Sequence, residues 1–326
     1  MGFGLAQMFL LAASLAFAWS IGAHYTGACM GMAYAARSIT LRRALILMAP
    51  LAFVGAVVAS GAVEVTVGSG LLSGGSVGIP VAGAIIVSAF ALTSAYNFVR
   101  LPTSTIQILV FAVVGAGVAS GVSVNWGTVA RLAVVWAAVP PAAAALAFLL
   151  TRLADATRMG RRLGSDSSYL PAVGLGLVAA GAGASFVMGA NDVSNASGAL
   201  VMTGLFGLLP AAALGGIGLS VGVLTWGRPI LQRVAFETVK LDRLTASLSQ
   251  LVQSILVLVP VLFGYFTSLN QALLGAMAGA GYARGRATVN ATVLYSILLG
   301  WAVGPASGFG LAFVVVWAGR SVGVLP

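Results

Sequence analysis

Ten apolar stretches follow one another along this chain, over residues 4–36, 44–60, 79–98, 103–122 and 129–150, then 170–203, 208–226, 245–266, 267–282 and 289–317. Wound as helices at about 1.5 Å per residue, most of them match a hydrocarbon core of ~30 Å. Only 7% of the 326 residues are charged and 60% are hydrophobic, too little polarity to cover a water-facing surface, so a soluble globular enzyme is excluded. Lipid offers the backbone no hydrogen bonds, so the stretches must satisfy their own N–H and C=O groups. The fold class that follows is an all-α integral membrane protein.

Cys29 is the single cysteine, His24 the single histidine, and Asp and Glu together number six, which argues against a disulfide framework, a thiolate cluster or a multi-ligand metal site. The net charge of +10 does not suggest a nucleic-acid partner, because the basic residues lie between apolar stretches and not on a soluble face with interleaved aromatics. It reads instead as the positive-inside bias of a multi-pass protein. Residues 5–20 resemble a signal-peptide core, but no basic residue precedes them, so they are read as part of the first membrane helix.

Five stretches, a polar linker and five more stretches prompt a search for a repeat. The run from Ile21 to Gly31 aligns with Met188 to Gly198 at an offset of 167, and Pro102 to Gly117 aligns with Phe266 to Gly281 at an offset of 164. Thr103 with Thr267, Ser104 with Ser268, and Gln107 with Gln271 are the matches that Gly and Ala abundance does not explain. The division expected is a first membrane repeat over 1–150, a cytoplasmic Arg-rich linker over 151–170 and a second repeat over 171–326. An odd number of crossings turns the second repeat upside down. With the linker in the cytoplasm, both termini fall outside the cell membrane, and 14 of the 16 Lys and Arg residues fall inside, Arg131 and Arg320 being the exceptions. The loops are reciprocally charged: 37–43 is basic where 204–210 is uncharged, and 228–243 is basic where 60–78 carries only Glu64. Inverted repeats explain that reciprocity.

Inverted repeats with polar breaks at matching positions place a binding site near the midplane, at the repeat interface, as in secondary transporters. The first stretch of each half is too long for a straight helix in a ~30 Å core, so a broken or re-entrant helix is expected, and Gly189-Ala-Asn-Asp-Val-Ser-Asn195 is the place for it. Asp192 is the only acid placed deep in a stretch, where an ionisable group needs a partner or a cation. Asn191, Ser194, Asn195 and Ser197 supply oxygens that suit Na⁺ or a shared proton; the alternative is an Asp that caps a broken helix. The paired motifs Thr103-Ser104-Thr105 and Thr267-Ser268 each open an apolar helix, where free N–H groups, hydroxyls and the positive helix end suit an oxyanion. Simple helix capping is the plainer reading of one such motif; two at mirror positions favour ligand contact.

At these residues the chain resembles the inorganic phosphate transporter (PiT) family over nearly its whole length. Gly189-Ala-Asn-Asp-Val-Ser-Asn-Ala196 is similar to the family's repeated signature, and Pro102-Thr-Ser-Thr105 and Thr267-Ser268 to its Pro-x-Ser-Thr-Thr-His motif. The resemblance implies a secondary transporter of inorganic phosphate, cation-coupled through Na⁺ or H⁺, multi-pass in the lipid bilayer and homodimeric, with no other cofactor and no enzymatic activity. The anion would be held by Thr103, Ser104, Thr105, Gln107, Thr267, Ser268 and Gln271, and the cation by Asn191, Asp192, Ser194 and Asn195. His24, Tyr25 and Thr26 stand at a degenerate mirror site, where the family has Asn-Asp. Gln107 and Gln271 replace the family's His, and Ala52 an expected acid. Loss of these titratable groups keeps open sulfate, or another oxyanion, as the substrate. A non-transporting membrane scaffold is the rival from another class, and an enzyme would have only Asp155, Asp166, Glu237 and Asp242 at the membrane faces.

Overall fold

The computed structural model describes residues 3–73, 77–99, 103–157, 162–163, 167–237, 242–285 and 291–325. The first half winds into α1 (Leu5–His24), α2 (Thr26–Ala35), α3 (Leu41–Ala59), α4 (Gly61–Val65), α5 (Ile79–Phe98), α6 (Thr105–Ser120) and α7 (Trp126–Ala156). The second half comprises α8 (Leu170–Asp192), α9 (Ser194–Met202), α10 (Leu208–Glu237), α11 (Arg243–Leu262), α12 (Leu269–Arg284) and α13 (Ala291–Ser321). A π-helical turn, Thr66–Gly70, continues α4, and Leu72–Ser73 pairs antiparallel with Ser123–Val124. Eight helical stretches among the described residues are long and apolar enough to cross a membrane, with α1 and α2 counted as one and α8 and α9 as another. The remaining two predicted segments, α6 and α12, have 16 residues each. At about 1.5 Å per residue they fall short of a ~30 Å core, and they start inside the protein after extended backbone.

The halves match helix for helix: α1 with α8, α2 with α9, α3 with α10, α5 with α11, α6 with α12 and α7 with α13. α5 and α11 have 20 residues each and α7 and α13 have 31 each. Packing obeys the same exchange. α1 lies on α10 while α8 lies on α3, and α6 lies on α13 while α7 lies on α12. Each repeat therefore completes the other. The α7 helix runs to Ala156, past the expected repeat boundary at 150, and its last turn places Asp155 2.8 Å from Arg284. Of the linker, residues 158–161 and 164–166 lie outside the described residues, as do Arg100 and Pro102.

The exchanged contacts are backbone on backbone. A Cβ on Gly22 would lie 2.0 Å from the Leu219 carbonyl oxygen, and one on its mirror mate Gly189 would lie 1.8 Å from that of Ala52. Gly222 meets the Trp19 oxygen and Gly55 that of Phe186 in the same way, at 1.9 Å each. Between helices in lipid, where hydrophobic attraction does not operate, close approach at small residues supplies the packing energy. Gly22→Leu or Gly189→Leu should therefore force the halves apart, a loss of several kcal/mol in a packed interior. Thermal unfolding in detergent, followed by Trp fluorescence, should show a lower midpoint for both, whereas Gly176→Leu, where a Cβ meets open space, should leave it unchanged.

Candidate functional site

The two long first helices break where the repeated signature lies. Tyr25, at φ −94° and ψ 3°, separates α1 from α2, and Val193 separates α8 from α9. Helical bonding resumes at once, Cys29 N–H to the Tyr25 carbonyl and Ser197 N–H to the Val193 carbonyl, both at 3.0 Å, so each break is a one-residue discontinuity and not a re-entrant loop. Because α1 packs on α9 and α2 on α8, the breaks lie side by side.

The starts of α6 and α12 reach the same place. Ser104 and Ser268 are extended N-caps whose hydroxyl oxygens accept the N–H of Gln107 at 3.3 Å and of Gln271 at 3.4 Å. The capping reading of these serines is thus correct as far as it goes. It leaves the serine O–H and the first N–H groups of each helix without an intrahelical acceptor. Gln271 Nε2 donates to Gln107 Oε1 at 3.2 Å, which joins the two helix starts across the pseudo-two-fold. Thr103 Oγ1, Thr267 Oγ1 and Gln271 Oε1 are buried with no hydrogen-bond partner.

Extended backbone in a protein interior needs partners for its peptide groups. Asn191 provides them for Thr267: its Oδ1 accepts the Thr267 N–H at 3.0 Å and its Nδ2 donates to the Thr267 carbonyl at 2.7 Å. His24, the mirror of Asn191, faces Thr103. Asn97 Nδ2 donates to the Ser20 carbonyl at 2.9 Å, so Asn97 Oδ1 is the acceptor that His24 Nδ1–H meets at 2.5 Å. With the ring proton on Nδ1, Nε2 is an acceptor for the Thr103 N–H at 3.3 Å and Asn270 Nδ2 at 3.4 Å, and it lies 3.1 Å from the Thr103 carbonyl oxygen. A lone acceptor cannot serve the Thr103 carbonyl as well. Asn270 Nδ2 does so, at 3.0 Å. The Thr267 peptide is thus held by one amide of its own repeat, and the Thr103 peptide by a histidine of its own repeat and an amide, Asn270, of the other.

Asp192 lies fully buried beside this clamp. Asn191 Nδ2 donates to one carboxylate oxygen at 3.1 Å, and Asn195 Nδ2 lies 3.4 Å from the other and 3.4 Å from Thr105 Oγ1. The Tyr25 hydroxyl, from the mirror position of Asp192, completes the group at 2.9 Å from Thr105 Oγ1. Among the described residues, the ion pairs join Arg284 to Asp155 and Asp242 and do not involve Asp192. Ser194 Oγ and Asn195 Oδ1 are buried and unpartnered, two oxygens free to join the carboxylate around a cation. Two expected members point elsewhere. Thr26 Oγ1 lies 2.9 Å from the Ala23 carbonyl and 2.8 Å from that of Gly227, a tie between α2 and α10, and Ser197 donates to Glu64.

Several functional candidates escape the sequence reading. Asn97 and Asn270 are buried amides in apolar helices, a signal available from their positions in residues 79–98 and 267–282. Glu64 reads as a loop charge, yet it is fully buried, so Asp192 is not the only acid in the interior. Of the acids an enzyme would need, Asp155 and Asp242 both pair with Arg284, at 2.8 and 3.4 Å, and Asp242 also caps α11; Asp166 and the Glu237 side chain lie outside the described residues.

Two exchanged helix bundles around a pair of broken helices, with two helix starts meeting at the breaks, define a multi-pass membrane protein of the repeat-carrier class. The model of the phosphate transporter family matches residues 21–173 and again residues 162–312. The chain belongs to that family. It is 29% identical to the sulfate permease CysP of Bacillus subtilis, over 93% of this chain and 85% of the relative. It is 25% identical to a Pyrococcus abyssi protein that bears the name of a phosphate permease, over 93% and 96% of the two chains. The fold is shared with a solved structure titled as the sodium-dependent phosphate transporter, at a TM-score of 0.88 and 20% identity, over 98% of this chain and 100% of that one.

Replacing His24 with Ala would strand the Thr103 N–H and Asn97 Oδ1 in a dry interior, at about 1–3 kcal/mol for each unpaired group. The unfolding midpoint of His24→Ala in detergent should fall, and His24→Asn, which offers the donor and acceptor that Asn191 offers to Thr267, should recover most of the loss.

Proposed function

We propose that this chain is a secondary transporter that carries inorganic phosphate across the cell membrane, coupled to movement of Na⁺ or H⁺. The observation that carries the reading is the meeting of two mirror-related helix starts, each capped by serine and preceded by a buried threonine whose hydroxyl has no partner. Helix N-termini and hydroxyls together bind oxyanions without an intramembrane Arg. On this reading Thr103, Ser104, Thr105, Thr267 and Ser268 contact the anion, and Gln107 and Gln271 line it. Asp192 holds the cation, with Asn195 and Ser194 completing its oxygens and Asn191 positioning both the carboxylate and the Thr267 peptide. A polar interior at the crossing suits a carrier better than a scaffold, whose repeat interface could be apolar throughout.

Sulfate is the second reading, favoured by the likeness to the Bacillus subtilis sulfate permease. Chemistry separates the two anions. Sulfate at neutral pH only accepts hydrogen bonds, while phosphate also donates through its P–OH and needs an acceptor. Gln271 Oε1, buried and without a donor, supplies one, which supports phosphate. The proposed arrangement also comprises a homodimer, both termini outside, and repeats divided at the cytoplasmic 151–170 linker.

Proteoliposomes given labelled phosphate or labelled sulfate in the external buffer decide among these readings. Uptake of phosphate that responds to an imposed Na⁺ or H⁺ gradient is the expected result; uptake of neither anion would remove the transport reading. Ser104→Ala combined with Ser268→Ala should lower uptake by about tenfold or more, given ~1.5–3 kcal/mol for a hydrogen bond to a charged group. Asp192→Asn should abolish the Na⁺ dependence, and a variant that keeps it intact would show the assignment of the cation to Asp192 wrong.

A further inference from the structure

Glu64 lies in α4, outside the constellation just described. Ser60 and Gly61 interrupt the helix that begins as α3, the Ser hydroxyl bonding back to the Ala56 carbonyl at 2.5 Å, and a π-helical turn begins two residues after Glu64. Kinks at such Ser/Gly pairs and π-turns re-aim side chains, and π-turns concentrate at functional sites. Here they accompany a carboxyl group that is 0% exposed. Ser197 Oγ on α9 hydrogen-bonds its Oε1 and also lies 2.7 Å from the Val193 carbonyl oxygen, and Oε2 is buried with no partner at all.

A bare carboxylate oxygen in a dry interior is unstable unless a cation or a proton neutralises it. No basic group stands ready. The elements packed on α4 are α3, α9, α10, α11 and the π-turn. Of these, α9 and the π-turn carry no titratable side chain. Arg42 and Arg43 begin α3, Arg243 begins α11 after its Asp242 cap, and Arg228, Arg233 and Glu237 lie in the last third of α10. Gly215 of α10 packs on Ser197 and Gly216 on Phe53 and Ala56 of α3, while Gly264 after α11 meets the Ala62 carbonyl oxygen of α4, so Arg42, Arg43 and Arg243 stand at the opposite ends of their helices and Arg228 lies 12 residues beyond Gly216. The titratable groups on adjoining turns are the Asp192 carboxyl, five residues before Ser197, and the Tyr265 phenol beside Gly264. A metal cation would need several oxygens, and one donating hydroxyl does not supply them.

The pseudo-two-fold gives an internal control. The mirror position of Glu64 is Leu231 and that of Ser197 is Met30, both 0% exposed. The fold is therefore satisfied by an apolar pair at this place, and the Glu–Ser pair on one side is not required by the architecture.

We propose that Glu64 is a proton-binding site of the transport cycle, protonated on Oε2 in the packed state and deprotonated only when α4 and α9 separate enough to admit water. The packing there is tight: a Cβ on Gly198 would meet Val67 Cγ1 at 2.3 Å and one on Gly68 would meet Val201 Cγ1 at 2.7 Å. The proton comes from and returns to bulk water, so its release accompanies movement of α9, the half-helix that carries Ser194 and Asn195. This deepens the proposed function by naming H⁺ as a coupling ion, and for its role in transport it rests on that reading.

Infrared difference spectra of the purified full chain, taken between acidic and alkaline buffer, test the site without any transported substrate. The wild type should show a protonated-carboxyl C=O band that Glu64→Gln lacks and Asp192→Asn retains; a Glu64→Gln spectrum that keeps every carboxyl band would overturn the proposal. Should Glu64→Gln fail to fold, Ser197→Ala keeps the carboxyl and removes its donor, and the same band should move to higher frequency; an unmoved band would count against the site. In proteoliposomes carrying a pH dye, Glu64→Gln should lose anion-driven proton entry, and proton entry equal to wild type would overturn the coupling role. Absence of wild-type uptake would defeat the transport reading alone, since the infrared band decides the site independently.

Discussion

Backbone that leaves the helix inside a membrane protein must find partners for its peptide groups from other helices, and that constraint organises this molecule. The residues before α6 and α12 are extended in the interior. Each is held by side chains from the break of a long helix: Thr267 by Asn191 from its own repeat, Thr103 by His24 from its own repeat with Asn270 from the other. Fixing those two peptides fixes where α6 and α12 begin and where their N–H groups point. The helix starts then meet through Gln107 and Gln271. Loss of either clamp would free the polar centre, not merely a loop.

The exchange of helices between repeats serves the same end. Glycines at 22, 55, 189 and 222 bring α1 onto α10 and α8 onto α3 with carbonyl oxygens where side chains would otherwise stand. Such closeness lets two helix breaks lie side by side. A looser bundle would place Tyr25 and Asp192 too far apart to share Thr105 and Asn195. The scaffold is symmetric in lengths and contacts, while the chemistry laid on it is not: Tyr25 opposes Asp192, His24 opposes Asn191, and Glu64 with Ser197 opposes Leu231 with Met30. A phenol in place of a carboxylate halves the negative charge at the axis, so one acid remains there.

Much of this was legible before any coordinates. Stretch length and the scarcity of charge dictate a multi-pass helical fold, since continuous apolar runs of roughly 20 residues suit a spanning helix and not the short alternating strands of a closed barrel. Matching Thr-Ser-x-x-Gln runs at an offset of 164, with a second run matching at 167, expose the repeat, because identical local structures need identical caps. Asp192 stands out through the cost of an ionisable group in an apolar run. Glu64 did not, because a charge between two apolar stretches looks the same whether the connecting segment lies in solvent or folds back against α9. Asn97 and Asn270 were hidden for a related reason: an amide in a helix has no visible partner until the neighbouring helix is placed.

The sequence by itself therefore determined the solvent, the helix content, the repeat and the residue types at the centre, because these follow from local composition and the spacing of caps. Only the tertiary structure decided which groups meet. It set Asn191 on the Thr267 peptide, turned Ser197 toward Glu64, committed Thr26 to α10, and left Thr103, Thr267 and Ser194 with free hydroxyls. Those outcomes depend on contacts between residues 76, 133 and 201 positions apart, and hydrogen bonds act over about 3 Å. No local pattern encodes a distance of that kind.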